Sequence, residues 1–178
     1  MKLFTLIVVT AFVSCSNSTS SGDNATILKD TFANAKIIYP YTASYTSQFE
    51  IGNPEHNKIV LEILKDAENN SLDAHASLFA DSVEYFSADG NFWTVTRDSL
   101  IAMGKRERAK CSFVKNEVQA WIPLKSTDRK DEWVSIWVHQ IFTKNNKTDS
   151  LDFQENWLIK NGKVARIVQY TRKLNPEK

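Results

Sequence analysis

The spacing of hydrophobic residues changes near residue 112, and this change divides the chain into two parts. In most of residues 53–110, apolar residues recur at intervals of three and four, which is typical of helices that bury one face. From Ser112 onward, apolar and polar residues alternate, which is typical of strands. The pattern therefore predicts a group of helices followed by a sheet of long strands.

Three helices are predicted in the first part. The first begins at Asn53-Pro54, because Asn is a good N-cap and Pro suits the first helical position, and it ends at Asn69-Asn70. A second, short helix follows Ser71, and a third runs from about Asp98 to Lys110.

Six strands are predicted, and the first two, 82–87 and 92–95, flank the hairpin signal Asp89-Gly90. Short polar connections make neighbouring strands antiparallel. The expected fold is therefore α+β, a strongly curved antiparallel sheet wrapped around about three N-terminal helices. The other four strands are long and cover residues 112–122, 132–143, 150–159 and 164–171.

The first fifteen residues predict an exported protein. Lys2 precedes an apolar run from Leu3 to Val13, which is the pattern of a secretory signal and is short for a membrane span. The following Ser14-Cys15 resembles the lipobox of bacterial lipoproteins, with Phe12 where Leu is usual. The resemblance implies cleavage before Cys15, lipidation of Cys15 and a lipid-anchored protein of the bacterial cell envelope, periplasmic or surface-exposed. The alternative is a secreted protein cut after Ser16 or Ser18.

The predicted organisation has four parts. Residues 1–14 are the signal peptide, and residues 15–26 form a flexible tether rich in Ser, Asn and Thr. Residues 27–52 lack helical spacing and are interpreted as an extended arm, and residues 53–174 form the folded domain.

Composition excludes several classes of function. The 178 residues include 22 Lys and Arg against 21 Asp and Glu, so electrostatics favour neither nucleic acid nor an anionic membrane surface. Membrane association would come through the lipid anchor alone. Two cysteines exclude a disulfide scaffold, and five glycines form no phosphate-binding loop. No His, Cys, Asp or Glu residues have metal-ligand spacing, so we expect neither a metal nor a cofactor.

The order of elements resembles the nuclear transport factor 2-like superfamily, in its SnoaL-like bacterial branch. The resemblance covers about residues 53–172 and is carried by four segments. It implies a cone-shaped fold with a pocket at its open end, on which isomerases, dehydratases, cyclases and binding modules are all found. The four segments are Asn70-Ser71-Leu72-Asp73, Leu78-Phe79-Ala80-Asp81-Ser82-Val83, Asp89-Gly90, and Trp157-Leu158-Ile159-Lys160-Asn161-Gly162-Lys163-Val164.

The resemblance argues against the proton chemistry of the ketosteroid isomerase branch. It places Tyr85 where that branch has a carboxylate base, and Gln154 about where it has the neutral acid of an oxyanion hole. A phenol with a pKa near 10 is a poor base at neutral pH. His139, on a strand with Trp133 and Trp137, is the histidine best suited to chemistry.

Five residues are predicted to line the cone. Gln154 and Asn156 share one strand face by alternation, and an inward polar pair is costly unless it meets water, a hydrogen-bond partner or a ligand. Trp93 follows the Asp89-Gly90 turn and is placed at the mouth of the pocket. The full set is Tyr85, Trp93, Gln154, Asn156 and His139.

The strand 132–143 has apolar residues on both of its faces. A sheet covered by helices on one side is usually polar on the other. The residues Trp133, Trp137 and Ile141 therefore predict a homodimer through the outer face, with the 27–52 arm as the alternative cover.

Three functions remain open from sequence. The first is a lipid-anchored domain that binds a small apolar or aromatic molecule in the cone. The second is a pocket enzyme of isomerase, dehydratase or cyclase type that uses Tyr85, His139 and Gln154. The third is a structural interaction module whose pocket is filled by its own side chains.

Overall fold

The computed structural model describes residues 38–173. The chain divides into two compact units, and only residues 38–42 of the first unit are described. The predicted signal peptide, Cys15, the predicted tether and residues 27–37 of the predicted arm lie outside the described residues. No helix among residues 38–173 is long and apolar enough to cross a membrane. The second unit begins at Ala43 and contains all of the helices and strands that the structure describes.

Residues 43–173 of this unit form seven strands and two α-helices. The helices are α1 (Glu55–Asn69) and α2 (Arg97–Arg108). The strands are β1 (Phe49–Ile51), β2 (Phe79–Phe86), β3 (Phe92–Thr96), β4 (Phe113–Ser126), β5 (Glu132–Lys144), β6 (Lys147–Lys160) and β7 (Lys163–Lys173).

The seven strands form one mixed sheet, in the order β1-β4-β5-β6-β7-β2-β3. The prediction of a purely antiparallel sheet was wrong at one place, because β2 pairs with β7 in parallel. Short connections fix the direction of strands that follow one another, and β4 to β7 are antiparallel for that reason. No short connection joins β2 to β7, which are distant in sequence, so connection length does not determine their relative direction.

The predicted second helix is a single 3₁₀ turn, Ala76–Leu78, so the α-helices number two within residues 38–173. Helix α1 ends at the left-handed Asn70 (φ 60°), and β2 already begins at Phe79. The intervening segment is too short for more than turns. Its apolar residues Leu72 and Phe79 are nevertheless buried in the core.

The core lies between the helices and one face of the sheet, which we call the inner face. Val60, Ile63 and Leu64 of α1 belong to the same buried cluster as the inner-face residues of β5. These inner residues, Val134, Ile136 and Val138, have no exposed surface. The opposite side of the sheet is called the outer face.

Residues 45–51 of the predicted arm lie against the β4–β5 hairpin. β1 extends the sheet by pairing with β4, and Thr127 N donates to Gln48 O at 2.8 Å. Tyr45 donates a hydrogen bond to Asp131 and accepts one from Trp133 Nε1 at 3.1 Å. This segment therefore covers one end of the outer face.

Candidate functional site

A chain of hydrogen bonds joins four inner-face side chains of β2, β6 and β7. Tyr85 Oη donates to Gln169 Oε1 at 3.1 Å, and Gln169 Nε2 donates to Glu155 Oε1 at 2.8 Å. Trp157 Nε1 donates to the other carboxyl oxygen of Glu155 at 3.1 Å. We call Tyr85, Glu155, Trp157 and Gln169 the inner cluster.

The strand register brings these residues together. Glu155 lies opposite Ile136 on β5 and Gln169 on β7, while Tyr85 lies opposite Ile167 on the parallel side of the sheet. Side chains that are neighbours across strands and share a face are within contact distance. The inner cluster therefore continues the face that carries the core.

Burial controls the protonation of the inner cluster. Glu155 is only 7% exposed, and its burial raises its carboxyl pKa to about 7, against smaller opposing effects of the Gln169 and Trp157 hydrogen bonds. Burial also raises the pKa of Tyr85 to about 12, with the nearby Glu155 charge as the next cause. Near neutral pH, the cluster thus holds a protonated phenol beside a carboxyl that gains or loses a proton.

Trp93 connects the inner cluster to solvent. It lies opposite Tyr85 in the β2–β3 pairing, and the two rings stack with centroids 5.9 Å apart and 18° between their planes. Trp93 is 37% exposed, whereas Tyr85 is half-buried. Trp93 therefore places a partly exposed aromatic ring beside the inner cluster.

Three of the five predicted pocket residues lie on the outer face. Gln154 lies opposite Trp137, and Asn156 lies opposite Ser135, so both point away from the core residues of β5. The predicted register of β6 was wrong by one residue, and a shift of one moves every side chain to the other face. His139 also lies outside, opposite Asp152. Tyr85 and Trp93 lie on the inner face, and their role in lining a pocket stays a prediction.

Sequence reasoning missed Glu155 and Gln169. The signal for Glu155 was present, because Phe153 and Trp157 flank it on the same face and both are buried. Two large apolar residues at i−2 and i+2 set the inward face of a strand. The preference for polar pocket residues led to the adjacent positions instead.

The three predicted dimer residues, Trp133, Trp137 and Ile141, share the outer face of β5. Trp133 is engaged by Tyr45, whose ring meets it edge-on at 6.2 Å. Tyr45 thus covers the Trp133 end of this face, and the homodimer stays a prediction for the remainder.

The outer face holds two grooves. One, of about 310 Å³, is lined by Tyr45, Phe49, Trp133, Ser135, Asn156, Val168 and Tyr170. The other, of about 300 Å³, is lined by Gln119, Trp137, Asp152, Phe153, Gln154, Tyr170, Thr171 and Arg172. Tyr170 is common to both grooves.

No protein-family profile and no curated protein sequence matches this chain. Solved structures do match. A protein from Jannaschia sp. CCS1 assigned as a SnoaL-like polyketide cyclase has a TM-score of 0.55 and 9% identity, over 68% of this chain and 90% of its own. A nuclear transport factor 2-like protein of unknown function from Burkholderia pseudomallei has a TM-score of 0.55 and 15% identity, over 67% and 92%.

An LEH-like epoxide hydrolase from Mycobacterium tuberculosis also matches, with a TM-score of 0.54 and 10% identity over 66% of this chain and 83% of its own. At such low identities, these likenesses show the fold alone. The chain has the cone-shaped nuclear transport factor 2-like fold that its sequence predicts, and the activity has to be argued from the site.

Proposed function

We propose that the cone binds a small, mostly apolar or aromatic molecule that carries one hydroxyl group. The observation that carries the proposal is the hydrogen-bonded inner cluster, which ends at Tyr85 and the partly exposed Trp93. A pocket with apolar walls and a few convergent polar groups is the usual form of a small-molecule site.

The free-energy cost of burying the polar groups of the inner cluster supports this proposal. A buried carboxyl such as Glu155 is destabilising even when it is hydrogen-bonded, and an apolar residue of similar size would avoid that cost. Tyr85 gives its proton to Gln169, so its oxygen retains lone pairs for a ligand donor. Trp93 offers an aromatic surface beside it.

The first prediction is that 2-naphthol binds in the cone through Tyr85 and Trp93. We expect Tyr85→Phe to weaken binding about five- to tenfold, because one hydrogen bond contributes about 1 kcal/mol. Trp93→Ala should weaken it several-fold through loss of ring contact. Fluorescence titration of the full chain measures both effects.

Two controls make this experiment specific. Naphthalene lacks the hydroxyl, so Tyr85→Phe should leave its affinity unchanged. Tyr170→Ala changes an exposed ring on the outer face and should leave 2-naphthol binding unchanged. If neither compound binds, or if both bind equally to all variants, the cone is not the binding site and the structural interaction module gains support.

Proton transfer is the second candidate function, and the pKa of Glu155 favours it. A carboxyl with a pKa of about 7 is suited to accept and return a proton near neutral pH. Glu155 replaces His139 and Gln154 in this alternative, since both of those lie on the outer face.

A second prediction separates catalysis from binding. If Glu155 acts as a base, the wild type should accelerate deuterium exchange at the α-carbon of 2-tetralone in D₂O, with a midpoint near pH 7. Glu155→Gln should abolish this acceleration but still bind the ketone, as NMR would show. Equal exchange rates in both proteins would contradict an enzymatic role for Glu155.

The cell-envelope location is a further part of the proposal, and it depends on Cys15. We expect the wild type to fractionate with membranes and to carry an acyl mass at Cys15. Cys15→Ala should be unprocessed or soluble, because no thiol remains to carry the lipid. A wild-type protein found soluble and without acyl mass would contradict the anchor.

A further inference from the structure

We propose that the outer face of the sheet binds a neutral oligosaccharide across strands β5, β6 and β7. The proposal rests on a row of side chains that lie directly opposite one another. Trp137 lies opposite Gln154, and Gln154 lies opposite Tyr170. All three line the groove of about 300 Å³.

The row alternates aromatic and amide groups. Adjacent strands are about 4.8 Å apart, so Trp137 and Tyr170 stand about 10 Å from each other, with Gln154 between them. A sugar ring has an apolar C–H face that packs on an aromatic ring and hydroxyls at its edge that need polar partners. An extended sugar chain advances by about half this distance per residue, so the spacing suits two sugars separated by one, with a sugar on each ring and the middle sugar over Gln154.

The groove contains side-chain groups that can form hydrogen bonds with sugar hydroxyls. The side-chain amides of Gln119 and Gln154 make no hydrogen bond to any of residues 38–173 and offer donors and acceptors in the groove. Asp152 is held in place, since it accepts from Arg172 Nη2 at 2.5 Å and is bonded to His139 Nδ1 at 2.8 Å.

The charges around the groove favour a neutral ligand. The row beside the aromatic one contains Glu117, His139, Asp152 and Arg172, in which acidic and basic groups alternate across the strands. Neither an anion nor a cation would find an excess of opposite charge there. Sugar hydroxyl groups can donate hydrogen bonds to the acidic side chains and accept them from the basic side chains.

The two grooves extend the site beyond one sugar. They share Tyr170, whose side chain is 55% exposed and stands between them. The groove of about 310 Å³ adds Asn156, whose carbonyl oxygen accepts from Ser135 Oγ at 2.5 Å and whose amide N–H groups donate to no other residue among 38–173. A linear chain of sugars therefore fits the surface better than a single sugar.

A second copy of the chain is the competing occupant of this face. The centres of protein–protein interfaces are depleted in charged residues, whereas charged side chains border Trp137 here. Trp133 is already covered by Tyr45 of the same chain. These features favour a sugar ligand over a dimer partner.

The test is isothermal titration of the full chain with chitotetraose and, separately, cellotetraose. We expect Trp137→Ala and Tyr170→Ala each to weaken binding at least tenfold, and Gln154→Ala to weaken it several-fold. Trp93→Ala, which changes a ring of the cone, should have no effect. Stronger binding of chitotetraose would show that the glutamine amides recognise acetamido groups, and equal binding would show that they recognise hydroxyls.

Two results would overturn the proposal. One is no binding of either sugar at millimolar concentration, or binding that Tyr170→Ala leaves intact; because Tyr170 is exposed, this variant tests the site even if Trp137→Ala fails to fold. The other is a dimer in light scattering that Trp137→Ala dissociates and that sugars neither bind nor disrupt.

Discussion

Raising the pH from 5 to 8 should lower the free energy of unfolding by up to about 3 kcal/mol through Glu155, and Glu155→Gln should remove this loss. The folded protein holds the pKa of this carboxyl at about 7, against 4.5 in the unfolded chain. The difference between these values corresponds to about 3 kcal/mol. This is a large fraction of the stability of a typical domain.

The sign follows from proton binding. Between pH 4.5 and 7, folded Glu155 keeps its proton while unfolded Glu155 has lost it, so the folded state binds more protons. Stability contributed by a raised carboxyl pKa is present in full below pH 4.5 and declines as the pH rises through 7. Above pH 7, the charged carboxylate stays buried, and the loss is complete.

Urea unfolding of wild type and variant at several pH values measures this effect. The difference between the two proteins removes the contributions of all other titratable groups, which both proteins share. Glu117→Gln is a matched control, because Glu117 is exposed and a hydrogen bond from Lys115 lowers its pKa. The Glu117→Gln variant should lose as much free energy of unfolding between pH 5 and pH 8 as the wild type does. Parallel pH profiles for wild type and Glu155→Gln would contradict a buried, raised carboxyl.

The elements that the sequence predicts well are those with a strong local cause. Asn161-Gly162 and Asp89-Gly90 supply residues that tolerate positive φ (52° and 71° for the first pair), and tight turns form at both places. The turn after β5 was predicted as the longer loop 144–149. It is instead the two-residue turn Asn145-Asn146, with φ of 51° and 61° at these two residues.

The register of β6 was missed although its two faces differ clearly in sequence. Apart from Glu155, the inner positions of residues 151–159 are apolar, whereas the outer positions are polar except for Leu158. Leu158, on the outer face opposite Trp133, is as buried as the inner Trp157. Leu158 is the one apolar exception to the alternation that normally sets which face of a strand points inward. The Tyr45 segment contributes to the burial of Leu158 through Trp133, and that long-range contact has no local sequence signature.

The parallel pairing of β2 with β7 also depends on contacts distant in sequence, and it places Tyr85 one strand from Gln169. No local pattern on β2 identifies that neighbour. The inner cluster therefore emerges only when the order of strands is known, although Tyr85 itself was found from the resemblance.

Ile136→Ala should destabilise the protein by about 2–5 kcal/mol, and by more at pH 5 than at pH 8. Ile136 has no exposed surface and lies directly opposite Glu155. Removing three carbons leaves a cavity that the surrounding core does not fill, which accounts for the overall cost. The cavity also lies beside a carboxylate that lacks water.

The dependence on pH follows from the chemistry of that cavity. Water that enters beside Glu155 would solvate its charged form and move its pKa back towards 4.5. The variant would then lose less stability than wild type between pH 5 and pH 8, so the cost of the substitution shrinks at high pH. Val138→Ala is the control, because Val138 is equally buried but lies opposite Phe153. Its cost should be the same at both pH values. Equal costs for Ile136→Ala at pH 5 and pH 8 would show that Glu155 and Ile136 are not coupled.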